Sequence, residues 1–121
     1  EGYGGAQPWG YKDAKLTLLW PAFAKAFPQA QWVIVRRERA ETVASLARTS
    51  FMAQHSRDPA FWATFCEGYE ARLDALARAR RGAVHELAFE ELRAGRMGTL
   101  KALVGALGLE WNGKRARAFL L

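Results

Sequence analysis

The sequence predicts an α/β fold with a parallel sheet, and three observations lead to this prediction. Two short segments, residues 31–36 and 83–89, are apolar and rich in β-branched or strand-forming side chains. Longer segments with helical periodicity follow both. The longest of these opens with Asp58-Pro59, an N-cap aspartate before a proline at the first helical position. Strands that alternate with helices form parallel sheets through right-handed crossovers, and 121 residues suit one domain spanning 1–121.

The first third of the chain predicts a loop, a strand, a short helix and a second strand. Residues 1–9 are rich in glycine and proline, which favours a loop, and residues 9–12 are expected to form a short strand. Pro21 interrupts an apolar segment, and proline breaks a helix interior but suits a first turn. We therefore expect a turn over 14–20 and a helix over 21–27. Residues 31–36 have the pattern of a buried parallel strand.

The remaining elements follow from apolar spacing and from glycines at helix ends. Val43, Leu46 and Ala47 recur at helical spacing and predict a helix over 39–52. The helix that Asp58 caps should run to about Arg80 and end at Gly82. The other predicted elements, in order, are a strand over 83–89, a helical turn over 90–93, a helix over 97–107 and a short helix over 113–121.

Composition excludes several classes of protein. Half of the residues are hydrophobic and a quarter are charged, as in globular proteins, and no segment has the 18 apolar residues of a membrane span. The N-terminal residues lack the pattern of a signal peptide. Cys66 is the single cysteine, which excludes an intrachain disulfide and favours a reducing, cytoplasmic location. Without an initiator methionine, the chain is expected to be processed or part of something longer.

The charge favours an anionic partner without identifying it. The formal net charge is +6, and 13 of the 18 basic residues are arginine. The planar guanidinium binds phosphate and sulfate oxygens through paired hydrogen bonds. A nucleic acid, a small phosphorylated ligand and a merely basic surface all fit this composition.

The segment 33–49 is the most informative part of the sequence. A strand ends in Arg36 and Arg37, a helix follows at once, and Ser45 lies eight residues after Arg37. Ligands of open α/β sheets bind beyond the carboxyl ends of the strands. Arg37 and Ser45 are therefore candidates to bind one phosphate, by charge and by a hydroxyl, and Arg36 is a candidate to assist. Adjacent strand residues face opposite sides, so only one arginine should face a given pocket.

This segment resembles the 3′-phosphate-binding motif of sulfotransferases that use 3′-phosphoadenylyl sulfate. In that family a strand-end arginine is followed, eight residues later, by a serine, and Arg37 and Ser45 occupy these positions. Other segments are similar in the same order. Residues 9–15 (Trp-Gly-Tyr-Lys-Asp-Ala-Lys) resemble Trp-Gly-x-Lys-Asp-Pro-Arg, residues 26–30 resemble Phe-Pro-Asp-Ala, and residues 86–92 resemble Tyr-Glu-Asp-Leu. Leu107-Gly108-Leu109 also matches the family, so the resemblance covers roughly 8–112.

The resemblance implies a P-loop-like, three-layer α/β fold and transfer of a sulfuryl group to a hydroxyl or amine acceptor, either a small molecule or a glycan. Lys12 is a candidate to stabilise the sulfuryl oxygens and Asp13 is a candidate base, while the family places its base either near this segment or in the portion that precedes it. Both residues also fit a surface pair or a helix cap. Nothing in the sequence requires a metal. The acceptor and the oligomeric state are not encoded in any motif.

The sequence departs from the family pattern in three places. Arg37-Glu38-Arg39 replaces Arg-Asp-Pro, and Ala14 and Lys15 replace Pro and Arg. No strand and Gly-rich phosphate loop precede residue 9, so the chain is expected to lack the first βα unit, as a fragment or a truncated descendant. If the chain is a truncated descendant, we expect a non-catalytic interaction protein rather than an enzyme.

Two further groups of residues have alternative interpretations. Arg78, Arg80 and Arg81, with Lys114, Arg115 and Arg117, form basic clusters that could contact nucleic acid, although no nucleic-acid-binding module is recognisable. A nucleic acid partner is therefore expected to be absent. The aromatic stripe of Trp62, Phe65 and Tyr69 is expected in the core or in the wall of an acceptor pocket.

Overall fold

The computed structural model describes residues 10–49, 52 and 54–115. The elements are, in chain order, α1 (Leu16–Ala26), β1 (Trp32–Arg36), α2 (Arg39–Arg48), α3 (Pro59–Ala79), β2 (Val84–Ala88), α4 (Phe89–Arg93) and α5 (Gly98–Ala106). The expected loop over 1–9 lies outside the described residues. Of the expected helix over 113–121, residues 113–115 are helical and the rest lies outside the described part.

The two strands confirm the predicted parallel sheet. β1 and β2 pair in parallel, with Trp32 opposite Val84 and Arg36 opposite Ala88. Both strands end at the same edge, and each is followed directly by a helix. The expected strand over 9–12 is wrong for its described part, because residues 10–12 have no regular structure and the sheet of the described residues has two strands.

The expectation that β1 is a buried strand is only partly correct. Ile34 is 3% exposed, whereas Val33 and Val35 are 43% and 51% exposed. Alternate side chains of a strand point to opposite faces. In the described part of the chain, the Ile34 side of β1 is therefore buried and the Val33 and Val35 side is largely exposed.

The predicted turn over 14–20 and helix over 21–27 are wrong, because one helix, α1, covers most of both segments. A single helix begins at Leu16 and contains Pro21 in its middle. The turn at Asp13 leads directly into it, because the Leu16 amide donates to the Asp13 carbonyl at 3.0 Å and the Leu18 and Leu19 amides donate to the Lys15 carbonyl. Pro21 removes one helical hydrogen bond. Since α1 has no buried residue, solvent can satisfy the carbonyl that this leaves free.

The helix α2 ends earlier than predicted. Its last residue is Arg48 rather than Met52, and Thr49 already has an extended backbone with ψ of 125°. The hydroxyl and the amide of Thr49 both donate to the Ser45 carbonyl, at 2.7 and 3.0 Å. Threonine side chains compete in this way with the continuation of a helix.

The helix α3 confirms the predicted start and end. Asp58 Oδ1 accepts a hydrogen bond from the Ala60 amide at 3.0 Å, and Pro59 is the first helical residue. Arg80 follows the last helical residue, and Gly82 takes a φ of 91°, a value that glycine adopts without strain.

The core of the described residues is organised around α3. Both α1 and α2 pack on α3, and α4 and α5 pack on β2. Its buried hydrophobic side chains are Ile34, Trp62, Cys66, Leu76, Leu87 and Leu103. Trp62 is 2% exposed, and its indole N–H donates to the Ser56 carbonyl at 2.8 Å. No helix in the described part of the chain is long and apolar enough to cross a membrane.

Candidate functional site

A cleft of about 360 Å³ opens at the carboxyl end of β1. Side chains from β1, α2, α3 and α4 form its walls. The lining residues are Val35, Arg36, Arg37, Thr42, Cys66, Tyr69, Glu70, Leu73 and Phe89. This is the edge at which parallel sheets bind ligands, as the position of the two strand-end arginines predicted.

Arg37 is the first residue after β1, and its guanidinium stacks on an aromatic ring. Its Cζ lies 4.6 Å from the centroid of Phe89, which follows the last residue of β2. The Arg37 Nε is buried and has no hydrogen-bond partner. Among the described residues, Arg37 forms neither an ion pair nor a hydrogen bond. No carboxylate therefore forms an ion pair with Arg37 in this part of the protein, although the charge of Glu90 lies near enough to interact with it.

Arg36 has a different environment, although it lines the same cleft. Its Nη2 contacts Asp74 Oδ1 of α3 at 2.9 Å, and its Nε contacts Glu86 Oε1 of β2 at 2.9 Å. Burial disfavours the charged form of Arg36, but the hydrogen bonds to Glu86 and Asp74 outweigh it and raise the pKa of the guanidinium. These two carboxylates neutralise Arg36 and make it a poorer anion-binding group than Arg37.

The other arginines at this edge are also paired with carboxylates. Arg39 donates to both carboxylate oxygens of Glu70, at 3.1 and 2.6 Å, and also approaches Glu67 at 3.5 Å. Arg93 contacts Glu41 at 2.6 Å. Each pair raises the pKa of its arginine. Among Arg36, Arg37, Arg39 and Arg93, Arg37 is the one without a carboxylate partner in the described residues.

The loops after the two strands are hydrogen-bonded to each other. The Glu38 amide donates to Glu90 Oε2 at 3.1 Å. This hydrogen bond lowers the pKa of Glu90 and keeps its carboxylate ionised. The peptide between Arg37 and Glu38 is thus hydrogen-bonded to Glu90, the residue after Phe89.

Ser45 lies on α2, where its carbonyl accepts two hydrogen bonds from Thr49. It is half-buried and is not among the residues that line the cleft. Thr42, which lies one helical turn closer to Arg37, lines the cleft instead. The binding role of Ser45 stays a prediction, and Thr42 is a second hydroxyl on the same helix.

Lys12 and Asp13 lie just before α1 and do not line the cleft. Asp13 Oδ1 accepts from the Lys15 amide at 2.8 Å, and Asp13 Oδ2 accepts from the Tyr11 hydroxyl at 3.2 Å. The bond from the Lys15 amide lowers the pKa of Asp13, which makes its carboxylate a weaker base. These contacts form a side-chain turn just before α1, whose N-cap residue, Lys15, has no side-chain capping hydrogen bond. The catalytic roles of Lys12 and Asp13 stay predictions.

The aromatic stripe of α3 contributes both to the core and to the cleft. Trp62 is buried, and Phe65 stacks on Tyr69 with 4.5 Å between the ring centroids. Tyr69 and Cys66 line the cleft. Burial raises the pKa of the Cys66 thiol, which disfavours the nucleophilic thiolate. Trp62 therefore lies in the core, as expected, and Tyr69 lines the cleft, whereas a role of the stripe in an acceptor pocket stays a prediction.

The sequence analysis did not identify Thr42, Phe89 or Glu90 as site residues. The available signal was positional, since Phe89 and Glu90 directly follow the second parallel strand, as Arg37 and Glu38 follow the first. Within the described ranges, no three His, Cys, Asp or Glu side chains come together as metal ligands would.

One residue of the basic clusters, Arg80, has a structural contact. Arg80 donates a hydrogen bond to the Pro28 carbonyl in the loop between α1 and β1. Arg78 and Arg81 are exposed, as are Lys114 and Arg115, while Arg117 lies outside the described residues.

Comparison with known proteins matches residues 3–113 to the sulfotransferase family. Because the match covers most of the 121 residues, the chain belongs to the sulfotransferase family. No curated protein and no solved structure matches the chain. The resemblance inferred from the motifs is thereby confirmed, and the α/β structure with its parallel strands agrees with the P-loop-like fold expected of this family.

Proposed function

We propose that this sulfotransferase-family protein uses 3′-phosphoadenylyl sulfate as its donor and that Arg37 binds the 3′-phosphate. Membership of the family supports sulfuryl transfer in general. The proposal adds the donor, and it adds a hydroxyl or amine acceptor carried by a small molecule or a glycan.

The observation that carries the proposal is the unpaired charge of Arg37. Its guanidinium lines the cleft at the carboxyl edge of the sheet, while Arg36 is held there by Asp74 and Glu86. A phosphate that approaches this edge therefore meets one guanidinium that no carboxylate holds in an ion pair. Thr42 and Ser45 lie one turn apart on α2 and carry the candidate hydroxyls; the Thr42 hydroxyl, which donates to the Glu38 carbonyl at 3.3 Å, would turn to the phosphate on binding.

The reaction moves a sulfuryl group from a phosphate oxygen to an acceptor oxygen or nitrogen. The bond between sulfur and the bridging phosphate oxygen breaks, a new bond forms between sulfur and the acceptor oxygen or nitrogen, and the acceptor proton passes to a base. Adenosine 3′,5′-bisphosphate is the leaving group. In this scheme Arg37 and the α2 hydroxyls orient the donor and do not take part in bond making. A cytoplasmic location, which the single buried Cys66 favours, belongs to the same proposal.

The test is nucleotide binding by an Arg37→Ala variant. Adenosine 3′,5′-bisphosphate should bind ~10- to 150-fold more weakly, because a hydrogen-bonded contact to a charged group contributes about 1.5–3 kcal/mol. The affinity for adenosine 5′-phosphate should change little. Isothermal titration calorimetry of both nucleotides measures the difference.

The matched control is Arg72→Ala, which removes the same charge from an exposed position on α3. It should leave both affinities near those of the unmodified protein. Equal losses for the two nucleotides in Arg37→Ala would contradict the assignment of the 3′-phosphate to Arg37.

A further inference from the structure

We propose that Phe89 and Glu90 are positioning residues that hold Arg37 in its phosphate-binding orientation. The inference rests on the proposed function, because it concerns how the 3′-phosphate cation is placed. It assigns a role to two residues that touch Arg37 or its peptide and that need not touch the nucleotide.

Phe89 acts on the guanidinium of Arg37. The strand register places Arg36 beside Ala88, so Arg37 and Phe89 are the residues that directly follow the two parallel strands. The Arg37 Cζ lies 4.6 Å from the ring centroid, and its Nε is buried without a hydrogen-bond partner. An arginine side chain loses rotamer freedom when it binds an anion. Stacking on the ring restricts that freedom before the ligand arrives.

Glu90 acts on the backbone next to Arg37. Its Oε2 accepts the hydrogen bond from the Glu38 amide at 3.1 Å, so it fixes the peptide between residues 37 and 38. The segments that follow the two strands are connected a second time, because Arg93 of α4 reaches Glu41 of α2 at 2.6 Å.

The Phe89 ring is itself restrained. The Cζ of Arg93 lies 5.3 Å from its centroid, and the contact between Arg93 and Glu41 limits where that guanidinium can lie. Two guanidinium groups therefore contact one ring, and a carboxylate holds only the Arg93 group. Arg93 therefore restrains the ring of Phe89, whereas Arg37 is available to a ligand.

Because α4 is short and not fully buried, a positioning role of Phe89 and Glu90 can be distinguished from a role in stabilising the fold. The helix has five residues and none of them is fully buried. Substitutions at Phe89 and Glu90 should therefore change ligand binding more than they change the stability of the fold. A positioning role should also be selective for the 3′-phosphate, since Arg37 is the group that is displaced.

The experiment measures the affinity of Phe89→Leu for adenosine 3′,5′-bisphosphate and for adenosine 5′-phosphate by calorimetry. The affinity for the bisphosphate should fall about 3- to 30-fold, the range of a desolvated cation–π contact, and that for the monophosphate should stay within about twofold. Phe89→Tyr keeps the aromatic face and should restore the affinity. Phe61→Leu removes an exposed ring from α3 and is the control.

Two variants separate the hydrogen bond of Glu90 from its charge. Glu90→Ala removes the acceptor and should weaken bisphosphate binding at least about threefold. Glu90→Gln keeps an acceptor oxygen and removes a negative charge near the phosphate, so its affinity should equal or exceed that of the unmodified protein. Weak binding by both variants would contradict the role of the hydrogen bond.

A double substitution shows whether Phe89 acts through Arg37. In the Arg37→Ala background, Phe89→Leu should have no further effect on bisphosphate affinity. An unchanged effect there, or equal losses for both nucleotides in Phe89→Leu alone, would overturn the positioning role while leaving the proposed function in place. If Arg37→Ala itself shows no selectivity for the bisphosphate, the proposed function fails as well.

Discussion

Arg36 and Arg37 are adjacent in sequence, yet the structure gives them opposite electrostatic environments. Successive residues at a strand end point to different sides of the sheet. Arg36 therefore meets Asp74 and Glu86, whereas Arg37 meets the ring of Phe89. The spacing to Ser45 already favoured Arg37 over Arg36, but the carboxylate partners that hold Arg36 cannot be read from the sequence.

The environment of Glu70 is also set by a neighbouring charge, and it leads to a prediction of how the stability of the protein depends on pH. The bidentate contact with Arg39 lowers its pKa below the ordinary 4.5. A carboxylate with a lower pKa in the folded state stabilises the protein fully above its unfolded value, and this contribution is lost as the pH falls through the folded value. Urea unfolding between pH 6 and pH 3 should therefore show a shallower loss of stability in Glu70→Gln than in the unmodified protein.

The control for Glu70→Gln is Glu110→Gln, which removes the same charge from an exposed residue. It should leave the slope of stability against pH unchanged. An identical slope in Glu70→Gln would mean that the contact with Arg39 contributes nothing in solution.

The helices differ in how completely their sequences specify them. The helix α3 has an N-cap, a proline at the first position and a glycine with positive φ after its end, and all three signals agree. The helix α1 contains Pro21 in its interior, so local sequence and final structure disagree. It forms as one helix because the turn at Asp13 starts it early and because α3 supplies a surface to pack on.

The N-cap of α3 gives a prediction of stability. Asp58→Ala removes the acceptor for the Ala60 amide and should lower the free energy of unfolding by about 0.5–2 kcal/mol. Asp58→Asn keeps an acceptor oxygen and should lose much less. Denaturant midpoints at constant m-value measure both effects, and equal losses in the two variants would contradict the capping role.

The whole molecule carries a net positive charge, although several of its arginines are individually paired with carboxylates. The net charge is +6, and Arg36, Arg39 and Arg93 all lie against carboxylates. The surplus creates a field that attracts anions of many kinds. Selectivity for a particular anion must come from the cleft, where the described residues leave Arg37 without a carboxylate.

The same charge gives a prediction about nucleic acid. We expect the protein to bind duplex DNA only non-specifically, with a dissociation constant of about 10⁻⁴–10⁻⁶ M at physiological salt, and without preference for sequence. Fluorescence anisotropy with unrelated duplexes at several salt concentrations measures this. Nanomolar, sequence-dependent binding would favour the nucleic-acid interpretation of the basic clusters instead.

The sequence by itself determined the parallel α/β class, the two described strands, the limits of α3 and the sulfotransferase family. These features depend on local periodicity, capping residues and the spacing of motifs, all of which are written along the chain. Only the tertiary structure decided that Pro21 lies inside a helix, that Thr42 and Phe89 line the cleft, and that Arg37 rather than Arg36 lacks a carboxylate partner among the described residues. Each of these depends on residues about 25 to 50 positions away, because the charge and freedom of a side chain are set by what packs against it.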